Sequence, residues 1–363
     1  MKVAIVHDWL TNMGGAEYFL IYLHQLFPEA PIYTTVYNPE NLVPELRDLD
    51  VRTSFLQKKK KARKKHQKYF PYMPMAFESF DLNEYDLVIS SSSSCAHGVI
   101  TSPHTLHICY CHTPMRYAWE FYYEYTKDMK KIKKKFLKYF MNYMRIWDRV
   151  SADRVDYFIA NSKTVSKRIN KHYRRDSEVL YSPVRPDSFE VSDINEDYYF
   201  VVSRLVYYKR IDLAVKACTK LNKNLIVIGT GEEIDKLKKI AGPTVKFLGR
   251  QADEVIKQHY SRCKAFLFPG EEDYGLTPIE AQASGRPVIA YNRGGVTETV
   301  IDGKTGLFFN EQTVESLSEA ILKFETMTFS KKDILEHASA FSVDEFKQKF
   351  LELVKNFQER YKS

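Results

Sequence analysis

The chain of 363 residues is 44% hydrophobic and 28% charged, the composition of an ordinary soluble globular protein, and its length predicts two domains with a hydrophobic core each. Its net charge of +8 is unevenly distributed along the chain. Residues 1–185 carry 29 Lys and Arg against 19 Asp and Glu, whereas the remainder carries 25 against 27. We expect no spanning helix, signal peptide or disulfide framework: apolar runs are short, MKVAIVHDWL turns polar early, and the five cysteines lack a regular spacing.

The first half of the chain alternates strand-like and helix-like runs. Lys2–Asp8 is apolar enough for a strand, and the segment after MGGAE places its apolar residues on one face of a helix. Further strands are predicted at Leu87–Ser90, Leu106–Tyr110 and Tyr157–Ala160, and Asn161 and Ser162 are predicted to cap a helix that runs to about Tyr173. The two prolines of YSPVRPD (181–187) indicate the link between domains.

A second alternation follows. Strands are predicted at Tyr199–Ser203, Leu225–Gly229, Val245–Leu248, Ala265–Phe268 and Pro287–Ala290, separated by helical patterns. This order predicts an α/β fold in which two Rossmann-like domains, 1–185 and 186–342, face each other across a cleft. Residues 343–363 form an amphipathic helix that we expect to return to the N-terminal domain.

Two basic segments account for the positive charge of the first half. KKKKARKKHQKYFPYMP (58–74) has no acidic residue, and the segment 127–147 combines lysines with apolar residues at helical spacing. These apolar residues are Ile132, Phe136, Tyr139, Phe140, Tyr143 and Ile146. The pattern suits a helix on an anionic membrane surface. A solvated basic face with its aromatic residues in the core, or a nucleic-acid site, would share this composition, but no nucleic-acid-binding motif accompanies the charge.

Cys109, Cys111 and His112 have a spacing that could suit a metal ion. No second group of ligands completes the site, and alternate cysteines on a strand usually belong to the core. We therefore predict no metal here.

Three polar segments follow predicted strands, where open α/β sheets bind ligands. Gly14 and Gly15 precede the first helix, whose N-terminus favours an anion, although a tight turn would also use glycines. Arg204 and Lys209 could hold a diphosphate between two cations, or could be solvated surface charges.

The third segment is PGEEDYGLTPIEAQASG (269–285). Thr277 and Glu280 have the spacing of a capping box, which would give Glu280 a purely structural role. Glu272 has no such explanation and could accept hydrogen bonds from sugar hydroxyls. The free N–H groups of Gly275, Leu276 and Thr277 could hold a phosphate. Together with the cations, these groups predict a site for a sugar on a diphosphate.

Several motifs resemble those of the retaining glycosyltransferases of family 4, which have the GT-B fold. They are E-x7-E in EDYGLTPIE with the following AQASGRPVI, R-x4-K at Arg204 and Lys209, the N-terminal G-G, and GGVTETVIDGKTGLFF (294–309). The resemblance covers essentially the whole chain and is most specific in its C-terminal half. HDWLTNMGGAE and YCHTPMRYAWE look like the branch of O-antigen mannosyltransferases that use GDP-mannose.

The resemblance implies a role for each matching residue. Arg204 and Lys209 would bind the donor diphosphate and neutralise the leaving group, and Glu272 would contact the transferred sugar. His112 would be the active-site histidine near that sugar, although a strand-end histidine could also make a purely structural hydrogen bond. The remaining donor-binding residues would be Gly14 and Gly15 in the cleft, Arg250 at the base, the Gly275–Thr277 amides at the phosphates, and Glu280 at the ribose.

The implied activity is transfer of a hexose, mannose from GDP-mannose in the first instance, to a lipid-linked saccharide in bacterial surface polysaccharide assembly. The family needs no metal or cofactor, and the enzyme would be cytoplasmic and peripheral on the inner face of the plasma membrane. A UDP-hexose or nucleotide-linked rhamnose donor is the alternative. A sugar-nucleotide epimerase or phosphorylase would need different motifs, and a non-catalytic basic protein leaves E-x7-E and R-x4-K unexplained.

Overall fold

A computed structural model of the chain describes residues 1–126, 129 and 131–362, except the side chains of residues 124, 125, 132 and 133. The chain divides into two compact units, Met1–Tyr181 with the segment from Phe346 onward, and Ser182–Glu345. The sequence places these limits at 185/186 and 342/343. Among the described residues, no helix combines the length and the apolar character needed to cross a bilayer.

The first unit contains a parallel sheet of seven strands in the order β3-β2-β1-β4-β5-β6-β7. The strands are β1 (Val3–His7), β2 (Ile32–Thr34), β3 (Val51–Thr53), β4 (Leu87–Ser92), β5 (Leu106–Cys111), β6 (Tyr157–Ala160) and β7 (Ser177–Val179). The strand order reverses between β1 and β4, which are paired from Val3 with Leu87 to His7 with Ser91. The carboxyl ends of these two strands therefore form the point at which open α/β sheets bind ligands.

The helices of the first unit include one that comes from the end of the chain. They are α1 (Gly15–Leu26), α2 (Pro44–Arg47), α3 (Met73–Glu78), α4 (Tyr122–Thr126), α5 (Lys131–Ser151), α6 (Lys163–Tyr173) and, from the C-terminus, α14 (Val343–Lys362). The ring of Phe346 on α14 lies 5.4 Å from that of Phe19, and Phe357 stacks on Tyr157 at 4.3 Å. Buried aromatic contacts thus hold α14 against the first unit.

The second unit contains a parallel sheet of six strands in the order β10-β9-β8-β11-β12-β13. The strands are β8 (Tyr199–Val202), β9 (Leu225–Ile228), β10 (Val245–Gly249), β11 (Ala265–Phe268), β12 (Val288–Tyr291) and β13 (Gly306–Phe309). Between them lie α7 (Ile211–Lys220), α8 (Ile234–Ile240), α9 (Asp253–Arg262), α10 (Leu276–Ala283) and α11 (Val296–Thr299), followed by α12 (Val314–Phe324) and α13 (Lys331–Ser339). Here the strand order reverses between β8 and β11.

Both faces of the second sheet are buried, as in doubly wound folds. Tyr199 and Val201 of β8 belong to a core cluster that includes residues of α7 and α12. Phe200, between them, belongs to a second cluster with Tyr260 of α9 and Ala281 of α10. The α/β class and the two parallel sheets predicted from the sequence are thereby confirmed.

Candidate functional site

Arg204, Lys209 and Glu272 lie at the switch point of the second sheet. Arg204 and Lys209 follow β8, and Glu272 follows β11, so the pairing of these strands brings together residues distant in sequence. The Lys209 ammonium forms an ion pair with the Glu272 carboxylate, and the two side chains are only 15% and 18% exposed. Arg204 is exposed and donates to the Tyr208 hydroxyl at 2.8 Å. The structure thus brings two cations and one carboxylate to a single sheet edge.

Close backbone contacts hold the Glu272 loop in place. The Gly295 N–H donates to the Glu272 carbonyl at 2.9 Å, and a Cβ on Gly294 would lie only 2.3 Å from that carbonyl oxygen. On the other side, a Cβ on Gly270 would lie 2.9 Å from the Lys209 carbonyl oxygen. The loops after β8, β11 and β12 are therefore packed so tightly that the position of Glu272 depends on glycine at 294.

The prediction of a capping box at Thr277 and Glu280 is wrong. Helix α10 begins at Leu276, and its N-cap is Gly275, which makes no side-chain cap and has a φ of +88°. This left-handed conformation favours glycine and starts the helix before Thr277 can act as its cap. The N–H groups of Gly275, Leu276 and Thr277 still form the first turn, where an anion is favoured.

Glu280 contacts another helix instead of its own N-terminus. Its Oε2 accepts a hydrogen bond from the Tyr260 hydroxyl at 2.9 Å, and burial raises the pKa of the carboxyl. Its contact with a ribose stays a prediction. Arg250 is exposed directly after β10, and its contact with a base likewise stays a prediction.

Gly14, Gly15 and His112 lie in the first unit. Gly14 is the N-cap of α1 and Gly15 its first residue, and both are exposed. His112 follows β5, and its Nε2 lies 2.9 Å from the Ser91 hydroxyl. Burial and the neighbouring His7 lower the pKa of His112 to about 3, so its imidazole is neutral at physiological pH.

Cys109 and Cys111 are buried in a core cluster with Ala152, Val155 and Phe158. These contacts give both thiols a packing role. Across the part of the chain that the structure describes, no group of three or more His, Cys, Asp or Glu residues could hold a metal ion.

Helix α5 carries two apolar stripes, of which one is buried and one is exposed. Met141, Met144 and Trp147 pack in the core of the first unit. The neighbouring stripe lies at the surface, with Phe136 75%, Tyr139 68%, Tyr143 53% and Ile146 58% exposed. Phe140 is half-buried. Ile132, which was also predicted to belong to this face, is not among the described side chains. Most of the aromatic residues assigned to this face are therefore not in the core.

The basic segment 58–68 adjoins the same helix. Its six lysines before position 68, Lys68 itself and Arg63 are all exposed, whereas Ala62 and His66 are buried as anchors. Phe70, just beyond, makes an edge contact with Phe140 of α5 at 5.6 Å. We call the exposed cations of 58–68 and the exposed residues of α5 at 131, 134–136, 138, 139, 143 and 146 the basic-aromatic surface.

Sequence reasoning missed several residues that contact the candidate site. Tyr208 accepts from Arg204. Gln312 donates to the Pro269 carbonyl at 3.0 Å and accepts from Arg210 at 3.3 Å, which links the loops after β8, β11 and β13. His7 and Ser91 lie beside His112. For the contacts around His112, the run of serines at 90–94 was the only signal in the sequence.

Two family models match consecutive parts of the chain. Residues 13–188 match Glycosyltransferase Family 4, and residues 184–340 match Glycosyl transferases group 1. A glycogen synthase of Pseudomonas syringae pv. tomato is 31% identical over 187 residues, covering 48% of this chain and 36% of the relative. A GDP-mannose-dependent alpha-(1-6)-phosphatidylinositol monomannoside mannosyltransferase of Mycobacterium tuberculosis is 29% identical over 162 residues, 38% of this chain and 42% of the relative. The chain thus spans less than half the length of these relatives.

A solved structure shares the fold over nearly the whole chain. Anabaena HepE in complex with UDP-glucose superimposes with a TM-score of 0.72 at 16% identity, covering 98% of this chain and 100% of that one. The chain thus has two parallel α/β sheets and the GT-B fold, with a family 4 glycosyltransferase model matching its first half and a glycosyl transferases group 1 model matching its second half.

Proposed function

We propose that the chain transfers a hexose from a nucleotide diphosphate sugar to a lipid-linked saccharide with retention of anomeric configuration. The observation that best supports this proposal is the position of Arg204, Lys209 and Glu272 at the switch point of a doubly wound sheet. This constellation offers two cations for a diphosphate and a carboxylate for sugar hydroxyls. The mannosyltransferase among the relatives makes GDP-mannose the first donor to test.

The charges match the electrostatic demand of glycosyl transfer. As the C–O bond of the donor breaks, negative charge grows on the diphosphate and positive charge on the sugar. An ammonium group has three donors, so Lys209 can stay paired with Glu272 and still bind a phosphate oxygen. Arg204 and the N-terminus of α10 add fixed positive potential, and such preorganised electrostatics usually contribute most to catalysis.

The reaction would run on side chains alone, without a metal or cofactor. The departing phosphate oxygen would take the proton of the acceptor hydroxyl while the new bond forms on the same face of the sugar. In this mechanism Glu272 recognises hydroxyls and holds Lys209, and does not act as a nucleophile. His112 would contact the sugar as a neutral imidazole.

The basic-aromatic surface supports an acceptor held at a membrane. Lysines would contact anionic head groups while Phe136, Tyr139 and Tyr143 enter the interface. We propose that the protein works in the cytoplasm, docked peripherally on the inner face of the plasma membrane. A nucleic acid would attract the same lysines but would give the exposed aliphatic Ile146 no partner.

A thermal-shift screen of GDP, UDP, dTDP and their sugars tests the donor site. A ligand that binds the native state raises Tm, because it stabilises the folded protein. At a ligand concentration of 100 times Kd, the free energy of unfolding increases by about 2.7 kcal/mol. We expect GDP and GDP-mannose to give the largest shift, and Lys209→Ala to remove most of it. A larger shift with UDP would change the donor to a UDP-hexose, as in the HepE complex. No shift with any nucleotide would contradict the proposed function. In a separate activity assay, consumption of the donor without an acceptor would favour an epimerase.

Liposome sedimentation tests the membrane surface. We expect binding that increases with the fraction of anionic lipid and falls at least about tenfold when Lys58–Lys61 are neutralised, since each basic residue contributes about 1 kcal/mol. Phe136→Ser with Tyr139→Ser should also weaken binding. Leu351→Ser, which changes an exposed leucine on α14, is the matched control and should bind normally. Binding that ignores anionic lipid and survives both sets of changes would show that this surface does not dock on membranes.

A further inference from the structure

Three consecutive serines at the carboxyl end of β4 each contact a different histidine. The pairs are Ser90 with His107 at 2.9 Å, Ser91 with His112 at 2.9 Å and Ser92 with His97 at 3.2 Å. All three hydroxyls are buried. The sequence shows a run of serines, but only the folded structure shows that each serine contacts a different histidine.

Ser91 differs from its neighbours because it joins two histidines. Its hydroxyl also lies 3.1 Å from His7 Nδ1. The other ring nitrogen of His7, Nε2, lies 3.8 Å from the carboxylate of Glu17 on α1. His7, Ser91 and Glu17 are all buried. A continuous row of polar groups therefore leads from Glu17 through His7 and Ser91 to His112, at the switch point of the first sheet.

The chemistry of these groups gives the row a direction. The Glu17 carboxylate favours a proton on the nearer His7 nitrogen, Nε2, which leaves Nδ1 as an acceptor. Ser91 has one proton, which it donates to His7 Nδ1, so its oxygen is left to accept from His112 Nε2. His112 then carries its proton on Nε2 and exposes a lone pair on Nδ1. Within the described residues, that Nδ1 has no hydrogen-bond partner.

Gly14 is part of the same arrangement. A Cβ at this position would lie 3.0 Å from Glu17 Oε2, tighter than ordinary packing. The lack of a side chain at Gly14 thus leaves room for the carboxylate, whatever else approaches the N-terminus of α1. This contact supplies a reason for glycine that does not depend on a ligand.

We propose that Glu17, His7 and Ser91 are positioning residues that fix His112 in the Nε2–H tautomer, so that Nδ1 accepts a hydrogen bond from a hydroxyl of the bound sugar. The proposal rests on the sugar-binding role of His112 in the proposed function. It assigns His112 as a hydrogen-bond acceptor in the ground state, and it makes the polar row the origin of that assignment.

Long-range nitrogen–proton NMR correlation of the histidine rings in the full-length protein tests the tautomer without any ligand. The His112 signals are identified by their loss in His112→Gln. We expect a proton on Nε2 in the wild type and a mixture of tautomers in Ser91→Ala and Glu17→Gln. Ser90→Ala is the matched control and should change only the His107 signals. A proton on Nδ1 in the wild type, or an unchanged His112 tautomer in both Ser91→Ala and Glu17→Gln, would overturn the proposal.

Steady-state kinetics separate this proposal from the proposed function. Ser91→Ala should lower kcat about 10- to 100-fold with little change in donor KM, by analogy with the loss seen when partners that orient metal-ligating histidines are removed. Ser91→Thr, which keeps a hydroxyl, should recover most of the loss, and Ser90→Ala should turn over normally. A shifted tautomer with unchanged kcat would refute the positioning role. Normal turnover in His112→Gln would instead refute the sugar-binding role of His112, while leaving the tautomer result intact.

Discussion

Lys209→Ala is expected to lower kcat/KM for sugar transfer by about 10²- to 10³-fold, as the loss of a preorganised group at a developing charge does elsewhere. Lys209 is the partly buried cation of the site, and its removal would leave the Glu272 carboxylate without its ion pair beside the donor phosphates. Repulsion would then add to the lost attraction. Arg204→Ala should have a smaller effect of the same sign, because Arg204 is more exposed.

A second lysine in an ion pair provides the control for Lys209. Lys216 lies 3.6 Å from Asp212 on the surface of α7, so Lys216→Ala removes an ion pair of the same type away from the sheet edge. We expect that variant to keep full turnover and to lose at most about 1 kcal/mol of stability. Circular dichroism and Tm should show Lys209→Ala to be folded. Near-wild-type kcat/KM in the folded protein would refute the assignment of Lys209 to the diphosphate.

A double-mutant cycle distinguishes the two roles of Glu272. If Glu272 only holds Lys209, then Glu272→Ala should cost little once Lys209 is already alanine. If Glu272 also binds sugar hydroxyls, a further loss should remain in the double variant, seen mainly in transfer from the intact donor. The coupling free energy of such contacting residues is typically about 0.5–3 kcal/mol. Nucleotide diphosphate binding, which lacks the sugar, should not show the additional loss.

Five of the six strands of the second sheet were predictable, because each is a short apolar run next to Gly, Pro or a charged helix. Their observed bounds lie within a residue or two of those predicted, as for Tyr199–Val202 and Val288–Tyr291. β2, β3 and β7 were missed because each has only three residues, too few to show a period. β13 (Gly306–Phe309), at the end of the motif 294–309, was missed as well. Their strand conformation depends on pairing with neighbours in the sheet, which local sequence does not encode.

Helix α5 shows why periodicity alone could not give the exposed face. Its sequence carries two apolar stripes about one residue apart, and both fit helical spacing. Which one is buried depends on contacts with distant residues such as Met73 and Ala96 of the same core cluster. The helix was therefore predictable, whereas the sequence left open whether Phe136 and Tyr139 lie at a membrane-facing surface or in the core; the structure exposes both.

The chemistry of the candidate site was more predictable than its geometry. R-x4-K and E-x7-E select the right residue types, but the pairing of Lys209 with Glu272 follows from the strand order. The capping box at Thr277 failed because the conformation of Gly275 starts the helix early, a tertiary effect on a local motif. The row from Glu17 to His112 joins α1, β1, β4 and β5, so no single segment of sequence contains it.

Gly294→Ala is expected to reduce kcat/KM about 100-fold without any change to a charged or polar side chain. Gly294 has a φ of +78°, and a Cβ there would lie 2.3 Å from the Glu272 carbonyl oxygen and 3.2 Å from the Glu272 nitrogen. A methyl group must therefore push the Glu272 loop away from the loop after β12. A displacement of about 1 Å in a catalytic group is enough for such a loss. Because Lys209 is paired with Glu272, its ammonium would move as well.

Gly303→Ala separates this displacement from backbone strain. Gly303 has a similar φ of +73°, but a Cβ there would meet no atom within 4 Å. The left-handed conformation should cost both variants about 1–2 kcal/mol of stability, measured by urea unfolding, and Gly294→Ala should lose more because its methyl group also displaces the Glu272 loop. Only Gly294→Ala should also lose donor binding and turnover, since only there does the new methyl group contact the site. Equal kcat/KM in the two variants would mean that catalysis tolerates movement of Glu272, and the carboxylate would then have no precise part in holding the sugar.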